Sequence, residues 1–250
     1  MEWNEPLFHQ AAGGNGRVGV LVIHGYSGSP RSLQELAERL VDAGYTVALP
    51  LLSGHGRTPG DLEKVAWSDW PADVEQALAW LKERTDTVFA VGLSMGGALA
   101  LWVAQEHPEV AGVVTVNAFI RHPQEKLMRV VGRIGVPRWV KAVGDDINSP
   151  GTDEKAYDKL PSRSTRQLVQ FLTAVRRRLP GVRCPVLLFS SVTDHTVPPA
   201  NQREIYDTIA STDKALVPLQ HSYHVATMDY DKEQIFSGTL AFIAAHVKRA

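Results

Sequence analysis

The chain has 250 residues, of which 44% are hydrophobic and 21% charged, as in an ordinary soluble globular domain. Its net charge of -1 excludes a general electrostatic attraction to nucleic acid, and no apolar run reaches the ~20 residues that span a bilayer. Cys184 is the only cysteine, so no disulfide can form within the chain, which is typical of a reducing compartment. The N-terminal segment lacks the basic and apolar regions of a secretory signal. We therefore expect one cytoplasmic domain over residues 1–250.

Apolar runs and helical spacing alternate along the chain. Near-continuous apolar runs, which predict strands buried on both faces, cover 18–25, 46–52, 87–93, 110–119, 185–192 and 214–220. Helical spacing covers 31–43, 69–84, 95–107 and about 231–248. This alternation predicts an α/β fold with a mainly parallel central sheet and helices on both faces. In such sheets the functional site lies beyond the carboxyl ends of the strands.

One connection is much longer than the others. Residues 120–180 separate two predicted strands, and three stretches (125–134, 138–144 and 164–179) have the pattern of short amphipathic helices. The segment carries 13 Lys/Arg and 6 Asp/Glu, a local net charge of +7, and the rest of the chain is at -8. We interpret it as a small cap inserted over the sheet. Its basic surface is either an ordinary solvated helical face or a means of transient contact with anionic lipid surfaces.

The stretch "VGLSMGG" (91–97) has the pattern GxSxG between a predicted strand and a buried helix. That context predicts a sharp turn that exposes the Ser94 hydroxyl as a nucleophile, with glycine at 92 and 96 because the turn leaves no room for side chains. The backbone N–H of Met95 then lies at a helix N-terminus, which favours negative charge. The alternative is that both glycines only permit close packing.

A serine hydroxyl needs a base, and on this kind of turn the chain order is serine, acid, histidine. Asp194 follows the predicted strand 185–192, and His221 and His224 both follow the strand 214–220. Spacing favours His224 over His221 without deciding between them. His195 adjoins the acid and is a poor candidate, because a neighbour on a turn rarely folds back onto it. The pair in "HSYH" lacks further ligands for a metal.

A second donor for a developing oxyanion is expected in the loop "HGYSGSP" (24–30), which follows the first predicted strand. Gly25 allows a close approach of the chain, so the backbone N–H of Tyr26 is the candidate. We expect His24 to be structural.

These motifs, with "SGHGRTPGDLE", "WSDWPADVEQALAWLK" and "SYHVATMDYD", resemble the α/β-hydrolase fold and, more narrowly, the bacterial monoacylglycerol lipases and related small carboxylesterases. The resemblance covers about residues 17–245. It implies a triad of Ser94, Asp194 and His224, and backbone donors at Tyr26 and Met95. It also implies that Glu154, in "DEKAYDKLP", helps to hold the glycerol head; the alternative is a solvated helix residue.

The sequence thus predicts a serine esterase that hydrolyses monoacylglycerols, a small lipid ester, without cofactor, metal or nucleic acid. The alternative is a general carboxylesterase for short- to medium-chain esters. A non-catalytic receptor on this fold would be expected to have lost part of the triad. The predicted lining of the acyl channel consists of Phe119, Ile120, Val143, Leu168 and Phe171.

Overall fold

The computed structural model describes residues 4–247. The two ends of the predicted 1–250 unit therefore lie outside the described residues, and so does position 248 of the predicted last helix. A seven-stranded sheet has the order β1-β3-β2-β4-β5-β8-β9. Its strands are β1 (Leu7–His9), β2 (Val18–Ile23), β3 (Thr46–Leu49), β4 (Thr87–Leu93), β5 (Gly112–Val116), β8 (Val186–Ser191) and β9 (Lys214–Leu219). Only β1 in this sheet is antiparallel to its neighbour. The mainly parallel sheet is confirmed, and each of the six predicted strands is present.

Helices cover both faces of the sheet, as predicted. They are α1 (Arg31–Asp42), α2 (Asp69–Lys82), α3 (Met95–Glu106), α4 (Glu125–Ile134), α5 (Ser162–Arg177), α6 (Ala200–Thr208) and α7 (Lys232–His246). The side chains of β2 alternate between two core clusters. Leu21 and Ile23 pack in the cluster that contains α2, α3 and α5, and Val20 and Val22 pack in the cluster that contains α1 and α7. Period-two alternation therefore buries both faces of one strand.

The long connection between β5 and β8 contains α4, a two-stranded hairpin and α5. The hairpin strands are β6 (Trp139–Lys141) and β7 (Lys159–Pro161), which pair antiparallel. The prediction of a helix over 138–144 was therefore wrong. Trp139 and Val140 favour a strand, and their pairing with β7 overrides a weak helical pattern. In α5, Leu168 and Phe171 belong to the main core cluster, so this helix packs on the sheet. No residue of α4 or of the hairpin strands belongs to that cluster.

The register of the parallel strands brings several loops to one edge. Ile23 pairs with Gly92, and Val116 pairs with both Leu93 and Phe189. The loops after β2, β4, β5 and β8 therefore begin side by side at the carboxyl edge. Within residues 4–247, no helix is long and apolar enough to cross a bilayer.

Candidate active site

Ser94 occupies a strained turn between β4 and α3. It is the N-cap of α3 and has φ 57° and ψ -119°, a region that a residue with a side chain rarely adopts. Glycine is required on both sides of it. A Cβ at Gly92 would lie 2.1 Å from the carbonyl oxygen of Gly96, and a Cβ at Gly96 would lie 2.0 Å from that of Ile23. The turn is therefore held by backbone packed against backbone, which only glycine permits.

Hydrogen bonds fix the backbone of Ser94 on both sides. Its N–H donates to the carbonyl of Val116 at 2.9 Å, and its carbonyl accepts from the N–H of Phe119 at 3.0 Å. The loop after β2 passes close by, since a Cβ at Gly25 would lie 3.3 Å from the Ser94 Cβ. Met95 is the first residue of α3, so its N–H has no acceptor within the helix. The predicted oxyanion donors thus belong to the two backbone segments that flank Ser94.

His224 and Asp194 form a buried pair on the loops after β9 and β8. The His224 Nδ1–H donates to Asp194 Oδ2 at 2.8 Å, and the side chains are only 9% and 1% exposed. Asp194 Oδ1 accepts from the backbone N–H groups of Thr196 at 2.9 Å and Val197 at 2.7 Å. These bonds orient the carboxylate and fix the tautomer of the imidazole, which leaves Nε2 as the atom able to accept a proton.

Burial by itself would lower the pKa of His224, but nearby carboxylates outweigh it. The charge and hydrogen bond of Asp194, with smaller effects from Glu154 and Asp146, raise this pKa above its ordinary value. Glu154 is itself buried, and burial raises its pKa to about 7. Its carboxylate lies against Gly28, because a Cβ there would be 3.1 Å from Glu154 Oε2.

The other candidate histidines have different surroundings. The His221 backbone bonds to Asp231 and Asn148, and its side chain does not line the cavity that holds Ser94 and His224. His24 Nδ1 bonds to the Gly25 carbonyl at 2.9 Å and its Nε2 accepts from the N–H of Leu52 at 3.1 Å. Burial lowers the pKa of His24 to about 3, so the ring is neutral and joins two loops, as expected of a structural residue.

One cavity of about 150 Å³ contains most of the predicted site residues, with Ser94, His224, Glu154 and Tyr26 among its lining. Its apolar wall combines Phe119 with residues of the segment 120–180, namely Met128, Val140, Val143, Leu160, Leu168 and Val169. Ile120 and Phe171 do not line it. Both are fully buried in the main core cluster, so the structure does not place them where substrate would contact them.

The side chain of Tyr26 fixes the loop after β2. The Ser164 Oγ–H donates to the Pro161 carbonyl at 2.7 Å, so the Tyr26 hydroxyl, 2.6 Å from Ser164 Oγ, is the donor of that second bond. The Tyr26 ring also forms T-shaped contacts with the rings of His55 and Trp70. The loop that carries the predicted oxyanion donor is therefore anchored to the first turn of α5.

Two buried polar residues near the site were missed in the sequence. Asn117, which follows β5 at φ 47°, donates from Nδ2 to the His224 carbonyl at 2.8 Å, and its Oδ1 accepts from the N–H of Ser191 at 2.8 Å. Its position at a strand end could have identified it. Asp146 contacts the backbone of His224 and the side chain of His195, and no motif marks it.

Within residues 4–247, no group of three or more His, Cys, Asp or Glu is arranged to hold a metal ion.

Ser94 follows β4, Asp194 follows β8 and His224 follows β9, so the three residues come in that chain order at one edge of a mainly parallel sheet. This is the arrangement of an α/β-hydrolase. Within that class, the family described as serine aminopeptidase, S33 (Hydrolase_4) matches residues 14–231. The chain belongs to this family.

Ester hydrolases are among the similar proteins. The chain is 44% identical to the thermostable monoacylglycerol lipase of Bacillus sp. (strain H-257), over 97% of this chain and 95% of the relative. It is 26% identical to a carboxylesterase of Bacillus subtilis (strain 168), over 91% and 93%. A solved structure from work on the metagenome-derived lipolytic enzymes LipS and LipT matches with a TM-score of 0.92 and 43% identity, over 98% of this chain and 99% of that chain.

Proposed function

We propose that this protein is a serine esterase that hydrolyses monoacylglycerols to a free fatty acid and glycerol. The observation that carries the proposal is a single cavity lined by Ser94, His224 and a mostly apolar wall, with His224 bonded to the buried Asp194. The similarity to a thermostable monoacylglycerol lipase supports this substrate class. The family description names a peptidase, but the two Bacillus relatives are named for ester or lipid hydrolysis.

In the proposed reaction, Ser94 Oγ attacks the ester carbonyl carbon while His224 Nε2 takes the hydroxyl proton. The carbonyl oxygen becomes an oxyanion, which the backbone N–H groups of Tyr26 and Met95 stabilise. The C–O bond to glycerol then breaks and His224 returns the proton to the leaving oxygen. Water attacks the acyl-enzyme in the same way, which releases the fatty acid and restores Ser94. Asp194 holds the imidazole and stabilises its positive charge.

The cavity supports a division between the two ends of such a substrate. Met128, Leu160 and Leu168 offer apolar surface for an acyl chain. Glu154 offers a buried carboxylate for glycerol hydroxyls, and its charge acts on His224. Val143 lines the same cavity but is 60% exposed. We place it at the mouth, where it would contact the entering substrate.

Labelling with a fluorophosphonate tests the nucleophile, because this reagent reacts only with an activated serine. We expect the wild type to label and Ser94→Ala to lose all labelling. Ser237→Ala, which removes an exposed helical serine, is the matched control and should label as the wild type does. A wild type that stays unlabelled where a known esterase labels would contradict the proposal.

A substrate series separates the proposal from the general carboxylesterase, which the similarity to the Bacillus subtilis carboxylesterase keeps open. We expect kcat/KM to be higher for monoacylglycerols of C8 and longer than for short p-nitrophenyl esters. A preference for C2–C4 esters, without hydrolysis of monoacylglycerols from C8 upward, would favour the carboxylesterase.

The cap also supports a proposal about where the enzyme meets its substrate. On α4, Leu127, Val130 and Ile134 are exposed beside the basic Arg129 and Arg133, so we propose transient contact with anionic lipid surfaces. Binding to vesicles that contain anionic lipid should weaken as salt increases, and salt-insensitive binding or none would count against it.

The single cysteine supports a cytoplasmic location, which cell fractionation would test.

A further inference from the structure

The segment between β6 and β7 is tied to the loop that carries His224. The carbonyl of Asp146 accepts from the N–H of Val225 at 3.1 Å, and the Asn148 side chain donates to the carbonyl of His221 at 2.8 Å. Asp229 accepts from the backbone N–H groups of residues 148 and 149 at 2.7 Å and 3.0 Å. A row of hydrogen bonds therefore joins the cap to the histidine loop over several residues on each side.

Asp146 is the residue of this segment that reaches the histidine itself. Its carboxylate is buried, with the residue 8% exposed. Asp146 Oδ2 accepts from the backbone N–H of His224 at 3.3 Å and from that of His195 at 3.0 Å. Asp146 Oδ1 accepts from the His195 ring at 2.8 Å. One carboxylate thus joins the loop after β8, which carries Asp194, to the loop after β9, which carries His224.

We propose that Asp146 is a positioning residue that sets the separation of the His224 and Asp194 loops, and so couples the cap to the proton transfer at Ser94. The inference depends on the proposed triad. Asp146 acts through the His224 backbone, whereas Asp194 bonds directly to the imidazole. Because a misplacement of about 1 Å in a reacting group can slow a reaction ~100-fold, a carboxylate that fixes this separation affects turnover without touching substrate.

The charge of Asp146 adds a second effect on His224. Three carboxylates act on this imidazole, those of Asp194, Glu154 and Asp146, and each raises its pKa. His195 is the remaining titratable group in contact, and its ring is paired with Asp146. Removal of the Asp146 charge alone should therefore lower the pKa of His224 and move the acid limb of the activity profile to lower pH.

The test is Asp146→Asn, compared with Asp158→Asn as a matched control. Asp158 lies in the same segment between the hairpin strands but is exposed. We expect Asp146→Asn to reduce kcat about 10-fold, with KM changed less than about twofold, because positioning acts on the transition state rather than on binding. The acid limb of its kcat/KM profile should move to lower pH. Asp158→Asn should match the wild type in all three quantities.

Active sites are counted by fluorophosphonate titration, so any unfolded fraction leaves kcat unaffected. If Asp146→Asn does not fold, Asp146→Glu, which keeps the charge but displaces it, should lower kcat without moving the acid limb. An Asp146→Asn enzyme whose kcat and acid limb equal those of Asp158→Asn would overturn the inference, as would an Asp146→Glu enzyme with wild-type kcat. A wild type that does not label would instead refute the proposed triad, so the two failures are distinguishable.

Discussion

The carboxylate of Glu154 lies against the backbone of Gly28, where an added Cβ would be 3.1 Å from Glu154 Oε2. Glu154 is buried, and its burial raises its pKa to about 7 from an ordinary 4.5. A cavity that needed only an apolar wall would be more stable without such a group. The burial of Glu154 therefore indicates that this carboxyl group is kept for function at a cost in folding stability. Two predictions follow, one for the stability of the protein and one for its substrate selectivity.

The first prediction concerns stability. The unfolded chain releases the Glu154 proton near pH 4.5 and the folded chain near pH 7, so folding stability is lost as pH rises through that window. Glu154→Gln cannot ionise. Relative to the wild type, its free energy of unfolding should therefore be ~1–3 kcal/mol larger at pH 8 than at pH 5, which means that the variant gains in relative stability as pH rises. Urea unfolding of both proteins at both pH values measures this difference, and an equal difference at pH 5 and pH 8 would contradict it.

The second prediction concerns selectivity. If Glu154 binds glycerol hydroxyls, loss of a charge-assisted hydrogen bond in Glu154→Gln should lower kcat/KM for a monoacylglycerol ~10-fold. The value for p-nitrophenyl butyrate, which has no glycerol, should stay within about twofold. Steady-state kinetics on both substrates at pH 8 measures the ratio, with Asp158→Asn as the control. Equal losses on both substrates would instead indicate an effect on His224.

Local sequence pattern was sufficient to predict the strands of the central sheet and the turn around Ser94. The strands that place the site are buried on both faces, so their apolar runs stand out, and the turn at Gly92 and Gly96 has a motif because backbone contact excludes any side chain. The short β1 and the helix α6 were missed. β1 is a three-residue edge strand, and α6 has a polar composition with few apolar positions to reveal its period.

The secondary structure and side-chain positions of the segment 120–180 were predicted less accurately from the sequence, because tertiary contacts determine them. Trp139–Lys141 becomes a strand only because Lys159–Pro161 lies beside it, and this pairing spans a long loop. Ile120 was expected in the cavity, but an apolar residue gives no indication of which side of a wall it faces. Asp146 is one of six acidic residues in the segment 120–180, and only the folded chain brings it to the backbone of His224.

The third prediction tests the close contact between α3 and β2. In Gly96→Ala the new Cβ would lie 2.0 Å from the Ile23 carbonyl oxygen, which is backbone and cannot turn aside. We expect loss of soluble protein or of more than ~4 kcal/mol of stability. Gly60→Ala is the control, because its Cβ would meet only Thr58 Oγ1 at 3.8 Å. That variant should stay within about 0.5 kcal/mol of the wild type in urea unfolding. A Gly96→Ala protein as stable as Gly60→Ala would show that the two elements can separate easily.

The fourth prediction uses the asymmetry of the bond between Tyr26 and Ser164. Tyr26→Phe removes one donor, while Ser164 Oγ still donates to the Pro161 carbonyl, so the loss of stability should be about 1 kcal/mol. Ser164→Ala leaves the Tyr26 hydroxyl without its acceptor in a setting whose burial raises the pKa of that phenol. An unsatisfied buried donor costs more, so this variant should lose up to ~3 kcal/mol.

Measurement of kcat distinguishes the role of the Tyr26 backbone N–H from that of the Tyr26 side chain. The proposed oxyanion donor is the N–H of residue 26, which Tyr26→Phe retains, so kcat per titrated site should stay within about twofold of the wild type. Urea unfolding of both single variants and the double variant measures the coupling between the two hydroxyls. If Tyr26→Phe lost kcat 10-fold while its stability was unchanged, the phenol would have a role in the reaction itself. In that case the anchor to α5 would not be its main contribution.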